Sequence, residues 1–186
     1  HILIADLLSA AGLSFADLNA VAISAGPGSY TGLRIATAAA KGYCFSLDIP
    51  LISISTLEAM VEGIQTRYNQ LGFDEYVPMI DARRMEVFTS FYTKEKELVK
   101  AFISLILDDT FEDLLDKKRK YLIFGNGAEK TKELIKTDNI SFITGFIPSA
   151  QDLCYMAYSR FLDSKFENTA YFEPHYSKAF FSTQNK

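Results

Sequence analysis

The chain has 186 residues, 48% of them hydrophobic, enough for one packed domain or two small lobes. With 19 Lys and Arg against 23 Asp and Glu, the net charge is −4, which excludes a whole-molecule basic field able to hold nucleic acid unaided. Cys44 and Cys154 stand apart, in no CxxC pair and beside no histidine cluster, which argues against a disulfide scaffold or a thiolate zinc site and fits a reducing cytoplasm.

The sequence starts at His1-Ile2-Leu3, already inside an apolar helical pattern, so a preceding segment is expected. His1–Ala11 reads as a helix with Gly12 as its stop, and Ile2, Leu3, Ile4, Leu7 and Leu8 cover more than one stripe of it. "SFADLNA" (Ser14–Ala20) reads as a short capped turn, and "AVAISAG" (Ala20–Gly26) as a buried strand. A glycine turn, Gly26-Pro27-Gly28-Ser29-Tyr30-Thr31-Gly32, leads into a long helix over Ser29–Leu47. "PLISIST" (Pro50–Thr56) is a second buried strand, and Thr56 is placed to cap a helix from Leu57 to about Tyr68. Strand, helix, strand in this order makes a βαβ unit with parallel pairing.

Beyond it, "EYVPMIDARRMEVFTSFYTKEKELVKAFI" reads as two or three antiparallel strands, with "MEVFTSFY" alternating faces and "TKEKE" as a turn. A polar helix over Thr110–Lys118, a strand "KYLIFGNGA" (Lys120–Ala128) and helices over Glu129–Thr137 and Ser149–Leu162 follow. Ser149 and Asp152 sit at capping-box spacing. The closing "AYFEPHYSKAF" is aromatic and basic, and extended around Pro174. No apolar run reaches the ~18 residues that a membrane span needs. The expected architecture is α/β in two lobes, residues 1–75 and 76–186, with a boundary near Gly72–Glu75.

A glycine turn opening a helix is a familiar phosphate cradle. This one lacks the Lys-Ser/Thr of a Walker loop. The strand after its helix ends in Ser53-Ile54-Ser55, without the carboxylate a dinucleotide site places there. The helix offers another reading, because Gly32, Ala36, Ala38, Ala39, Ala40 and Gly42 would let a second helix approach closer than the usual ~8–10 Å. An alanine-rich helix can equally be just a good helix former packed on its own sheet. One face does that. A partner surface on the second face would comprise Tyr30, Arg34, Thr37, Ala38, Lys41 and Cys44, extended by Leu3 and Leu7 of the first helix.

Three strings, "SAGPGSYTGLRIATAAAKG", "PLISISTLEAM" and "IDARRMEVFTSFY", with the closing "EPHYSK", strongly resemble the TsaB (YeaZ) family from the first helix to about Lys178. The resemblance implies an actin-like ATPase (ASKHA) fold, two lobes with mixed sheets flanked by helices, and N-terminal strands that should lie before His1. It implies a noncatalytic, cytoplasmic subunit of the machinery making threonylcarbamoyladenosine at position 37 of tRNA. Such a subunit pairs its first two helices with those of the catalytic subunit TsaD, helps recruit the ATPase TsaE, and homodimerises when alone. Contact with tRNA is expected only within the complex, and no membrane, cofactor or metal is expected. The TsaD metal pair His-x-x-x-His has no counterpart here, where the histidines are His1 and His175. The rival reading is an enzyme, either an ATPase of this fold or a glycoprotease-like peptidase. The peptidase lacks a nucleophile–base–acid set.

Five positions stand where such a fold keeps nucleotide: Gly26, Gly28, Asp81, and Gly125 and Gly127 of "FGNGAEK". Each has a structural alternative. Gly125 and Gly127 can serve a strand-to-helix turn in left-handed conformations, Gly26 and Gly28 can start and thin the helix that follows, and Asp81 can cap the hairpin with Arg83 or Arg84 paired to it or solvated. "LLDKKRK" (Leu114–Lys120) can graze tRNA or end a helix in solvent, and Tyr171–Tyr176 can pack on the second lobe or face a partner.

Overall fold

Helix α1 (Ile2–Ala10) ends where Gly12 turns left-handed at φ 69°. There the Gly12 N–H donates to Ser9 O and the Leu13 N–H to Leu8 O, the paired bonds that close helix C-termini. The structure is a computed structural model describing residues 1–70, 72–101 and 104–175. It divides into two compact units, His1–Ser55 with Leu153–His175, and Thr56–Asp152.

The first unit carries β1 (Val21–Ser24), α2 (Tyr30–Leu47) and β2 (Leu51–Ile54). The strands pair in parallel, Val21 opposite Leu51 through Ser24 opposite Ile54, with α2 as the connection the sequence requires. Ser29 caps α2, its hydroxyl accepting the Gly32 N–H at 3.3 Å, and Asp48 closes the helix in a left-handed conformation. Ile23, Ala25, Ala40, Cys44, Leu51 and Phe172 form the core. Phe172 reaches it on a segment that follows α4 (Cys154–Leu162) and runs beside β2. Along that edge the Glu167 N–H donates to Leu51 O at 2.8 Å, its carboxylate accepts the Ser53 hydroxyl, and Arg160 donates to Ser53 O. Lys41 then ties the segment down, donating to Ala170 O at 2.9 Å and Phe172 O at 3.1 Å.

The second unit holds α3 (Thr56–Thr66), β3 (Glu75–Asp81), β4 (Glu86–Thr93), β5 (Leu98–Ala101), β6 (Leu105–Ile106), β7 (Tyr121–Phe124) and β8 (Ile140–Ile143). The sheet order is β5-β4-β3-β7-β8, with β6 beside the start of β4. β5, β4 and β3 are antiparallel neighbours, while β7 and β8 continue parallel to β3. The period of two sends Val77, Met79, Val87, Phe91, Tyr121 and Ile123 to one core, closed by Leu107, Phe111 and Leu115. Tyr76, Tyr92, Leu122 and Phe124 go to the other, under Leu57, Met60, Val61 and Ile64 of α3. Each of these large side chains contributes about 1.5–3 kcal/mol by leaving water. "MEVFTSFY" does alternate, but between two cores: Thr89 through Tyr92 are all buried.

Three expectations are corrected and one strand is added. The polar helix over Thr110–Lys118 is only a 3-10 turn, Phe111–Leu114. Asp108 there accepts the Thr110 N–H and hydroxyl, and Asp116 accepts the Lys118 N–H, local bonds that compete with a helix. The helix over Glu129–Thr137 is likewise a 3-10 turn, Ala128–Thr131, with the Thr131 hydroxyl bonded back to Ala128 O. Strand β8 has no counterpart in the sequence reading. Finally, the units interleave where one cut near Gly72–Glu75 was expected, because the apolar face of α3 packs on β3 and β7 while α4 lies on β2. The "YSKAF" end of the closing segment lies outside the described residues.

Ser149 and Asp152 meet as their spacing predicts, the Ser149 N–H donating to the carboxylate at 2.8 Å, but Asp152 also turns inward to Arg67. Its side chain is fully buried and accepts Arg67 Nε at 2.6 Å and Nη2 at 2.9 Å. Arg67→Ala therefore strands a buried carboxylate. The expected cost is about 3–5 kcal/mol in urea denaturation, several times that of removing an exposed pair such as Lys165–Asp163.

Candidate docking face on the first two helices

Helix α2 buries one stripe, Leu33, Thr37, Ala40 and Cys44, at helical spacing, and Ala40 and Cys44 of it pack with Ile23 of β1 and with Phe172. Thr37, 7% exposed, and Cys44, 3% exposed, therefore belong to the inner side, a correction to their expected place on the outward face. Burial pushes the Cys44 thiol up, away from reactive thiolate. Lys41 is half-buried and its ammonium is occupied by Ala170 O and Phe172 O. Tyr30, Arg34 and Ala38 are exposed, as expected.

The outward stripe runs through Ile35, Ala38, Gly42, Phe45 and Ser46. Ile35 is 66% exposed and Phe45 88%, while on α1 Leu3 is 83% and Leu7 71% exposed. Only Leu8 of α1 is buried. The start of α1 is held to α2 by His1 Nδ1 and the Tyr43 hydroxyl at 2.6 Å, and Tyr43 stacks on Phe15 at 5.2 Å. Between them an open groove of about 520 Å³ is lined by His1, Ile35, Ala38, Ala39, Gly42 and Tyr43. Small residues in the groove and bulky ones beside it suit an incoming helix. Ile35 and Phe45 escaped the sequence reading, although each is out of phase with the buried stripe and so legible in it.

Arg34 is held along α2 by Tyr30, donating to its hydroxyl at 3.0 Å with the guanidinium 5.3 Å from the ring centre.

The glycines expected near nucleotide are engaged by the chain itself. Gly26, at φ 102°, has His175 O only 2.8 Å from where a Cβ would stand, and the His175 N–H donates to Ala25 O at 2.7 Å. Gly28 is looser, its nearest neighbour the Leu33 side chain at 3.9 Å. Gly125, at φ 107°, presses on Met79 O, 2.3 Å from a Cβ position, and Gly127 on Val87 at 3.0 Å. Asp81 accepts the Lys130 ammonium and the Arg83 backbone N–H, both at 2.6 Å. Lys130 holds the Asp81 carboxyl below its usual range. Of the two readings open for Asp81 the structure shows the hairpin contact, and its cation is Lys130, the last residue of "FGNGAEK", rather than the Arg83 or Arg84 side chain. Phe172 answers the open choice over Tyr171–Tyr176 in part: it packs in the first unit, not the second, while Tyr171 is exposed and Tyr176 lies outside the described residues.

Among the described residues, no group of three or more His, Cys, Asp and Glu is placed to hold a metal ion, and no helix is long and apolar enough to cross a membrane.

The family model described as "TsaD: tRNA N6-adenosine threonylcarbamoyltransferase" matches residues 1–182. The tRNA threonylcarbamoyladenosine biosynthesis protein TsaB of Bacillus subtilis is 33% identical over 78% of this chain and 62% of its own length. The Buchnera aphidicola (Acyrthosiphon pisum) TsaB is 33% identical over 82% of this chain and 70% of its own. The chain thus spans about two-thirds of the relatives it matches. The solved structure of YeaZ from Pseudomonas aeruginosa superposes with a TM-score of 0.77 over 94% of this chain and 82% of that one, at 24% identity, and so shares its fold.

Lys130→Met should move the Asp81 carboxyl up toward its usual 3.8, measurable by NMR titration of the carboxyl carbon. Because the folded-state value is lowered, the pair stabilises the fold above about pH 4 and is lost as pH falls through the folded value. The variant should therefore lose less stability than wild type on acidification below about pH 4.

Proposed function

The chain belongs to the TsaB (YeaZ) family, within the wider TsaD family of tRNA threonylcarbamoyladenosine proteins, and on that premise we propose that it is a noncatalytic scaffold subunit for that tRNA modification. In this reading its α1–α2 face docks the matching helices of a TsaD-type catalytic subunit. It helps recruit a TsaE-type ATPase and covers the same face with a second copy when no partner is present. Contact with tRNA occurs within the complex.

The outward stripe carries the reading: Leu3, Leu7, Ile35 and Phe45, each at least 66% exposed, flank a floor of small residues. Four large apolar side chains left in water on two adjoining helices make a surface that gains by association. The state of the expected nucleotide positions agrees with a scaffold. Asp81 is ion-paired, and Gly26, Gly125 and Gly127 accommodate the chain's own backbone and side chains.

Light scattering after gel filtration tests the docking face. Mixed with a TsaD-type subunit, the wild-type chain should give the mass of a one-to-one complex. Ala38→Arg or Ala39→Glu should weaken it at least about tenfold, since a charge would be buried without a partner. Circular dichroism should remain unchanged. ATP hydrolysis by the isolated chain that disappears on Asp81→Asn would instead favour the enzyme reading.

A further inference from the structure

Resting on the proposal that the α1–α2 face pairs with a second copy, we infer that Arg34 of one copy forms an ion pair with Asp6 of the other, so that two such pairs set the register of the dimer. The charges of the two helices are few. Asp6 is exposed on α1 beside Ile2, Leu3 and Leu7, and α2 carries Arg34 and Lys41. Lys41 is spent on the Ala170 and Phe172 carbonyls. Among the described residues neither Arg34 nor Asp6 has an ion-pair partner, and Arg34 makes its bond to the Tyr30 hydroxyl. The face therefore offers one uncommitted cation and one uncommitted anion on an otherwise apolar surface.

Helical geometry sends the two toward each other across a two-fold axis. At about 3.6 residues per turn, Arg34 falls on the flank of α2 opposite Tyr43. Tyr43 is where α1 of the same chain attaches, through His1 and Phe15. Arg34 thus looks away from its own α1. When two α1–α2 pairs close into four helices around a two-fold axis, each α2 has its own α1 on one flank and that of the second copy on the other. Asp6 lies nearly opposite the buried Leu8 and so points out of its own unit toward that neighbour. Tyr30 presets the guanidinium, lowering the ordering cost of the pair. Such rim charges steer encounter and fix register more than they add affinity, and reversing one creates a repulsion.

A charge swap tests this on the protein alone, by sedimentation equilibrium at low and high salt with circular dichroism as the fold control. Arg34→Glu and Asp6→Lys should each raise the dimer dissociation constant about tenfold or more at low salt, and less at high salt. The double variant should return to within about threefold of wild type. That recovery is the signature, since a merely structural role for either residue would make the double variant worse. Three results overturn the pairing in a chain that does dimerise: single reversals that the swap does not rescue, an Arg34 effect with Asp6 silent, or no effect of either charge while Ala38→Arg still splits the dimer. The last two leave the docking face standing. A wild-type chain that is monomeric at every concentration overturns the pairing and the self-association it rests on, while complex formation with a TsaD-type subunit remains separately measurable.

Discussion

Helix α2 has to pack two ways at once, and the first unit is built around that demand. Its inner stripe is mostly small, Thr37, Ala40 and Cys44 beside the single large Leu33, so it can lie close on β1 but gains little apolar burial in doing so. The deficit is made up from elsewhere in the chain. Phe172 fills the space beside Ala40 and Cys44, and Lys41 clamps the carbonyls around that ring. The Ser29 hydroxyl fixes where the helix starts and Asp48 where it ends. With one side secured by borrowed residues, the opposite side is left with alanines, glycine and two large apolar residues facing out.

Two loops whose sequences resemble phosphate cradles use their glycines in another way. At Gly26 the space a side chain would take is filled by the His175 carbonyl, and at Gly125 by the Met79 carbonyl. In both places a left-handed backbone lets one strand end pass within van der Waals reach of another piece of the same unit. Asp81 sits at the end of β3 in a similar state of internal commitment, its charge answered by Lys130 and its hairpin fixed through the Arg83 N–H. Gly26, Gly125 and Asp81 thus serve the turns of their own units.

Most of the strands and long helices were legible because hydrophobic period and caps agree: Gly12 stops α1, Ser29 starts α2, and "YVPMID" and "KYLIF" are continuous apolar runs covered on both sides. The short helices over Thr110–Lys118 and Glu129–Thr137 failed because Asp108, Asp116 and Thr131 bond their own neighbouring backbone, a competition that residue spacing does not reveal. Thr37 and Cys44 fall on the inner side of α2, against the expectation, because small residues line both faces of that helix and only Leu33, Ile35 and Phe45 mark which is which. Cys44 is covered with the help of Phe172, more than a hundred residues later in the chain. The same distance hid the role of Lys41, whose charge reads from sequence as a surface feature.

The discontinuity of the first unit bears on how it comes into being. Protein synthesis delivers the amino end first, so α1, β1, α2 and β2 leave the ribosome long before the ring that completes their interior. The stretch Thr56–Asp152, by contrast, is contiguous and has all its strands in hand by the time α4 is translated. Until Phe172 and the acceptors of Lys41 emerge, the inner side of α2 at Ala40 and Cys44 lacks the groups that cover it in the finished fold.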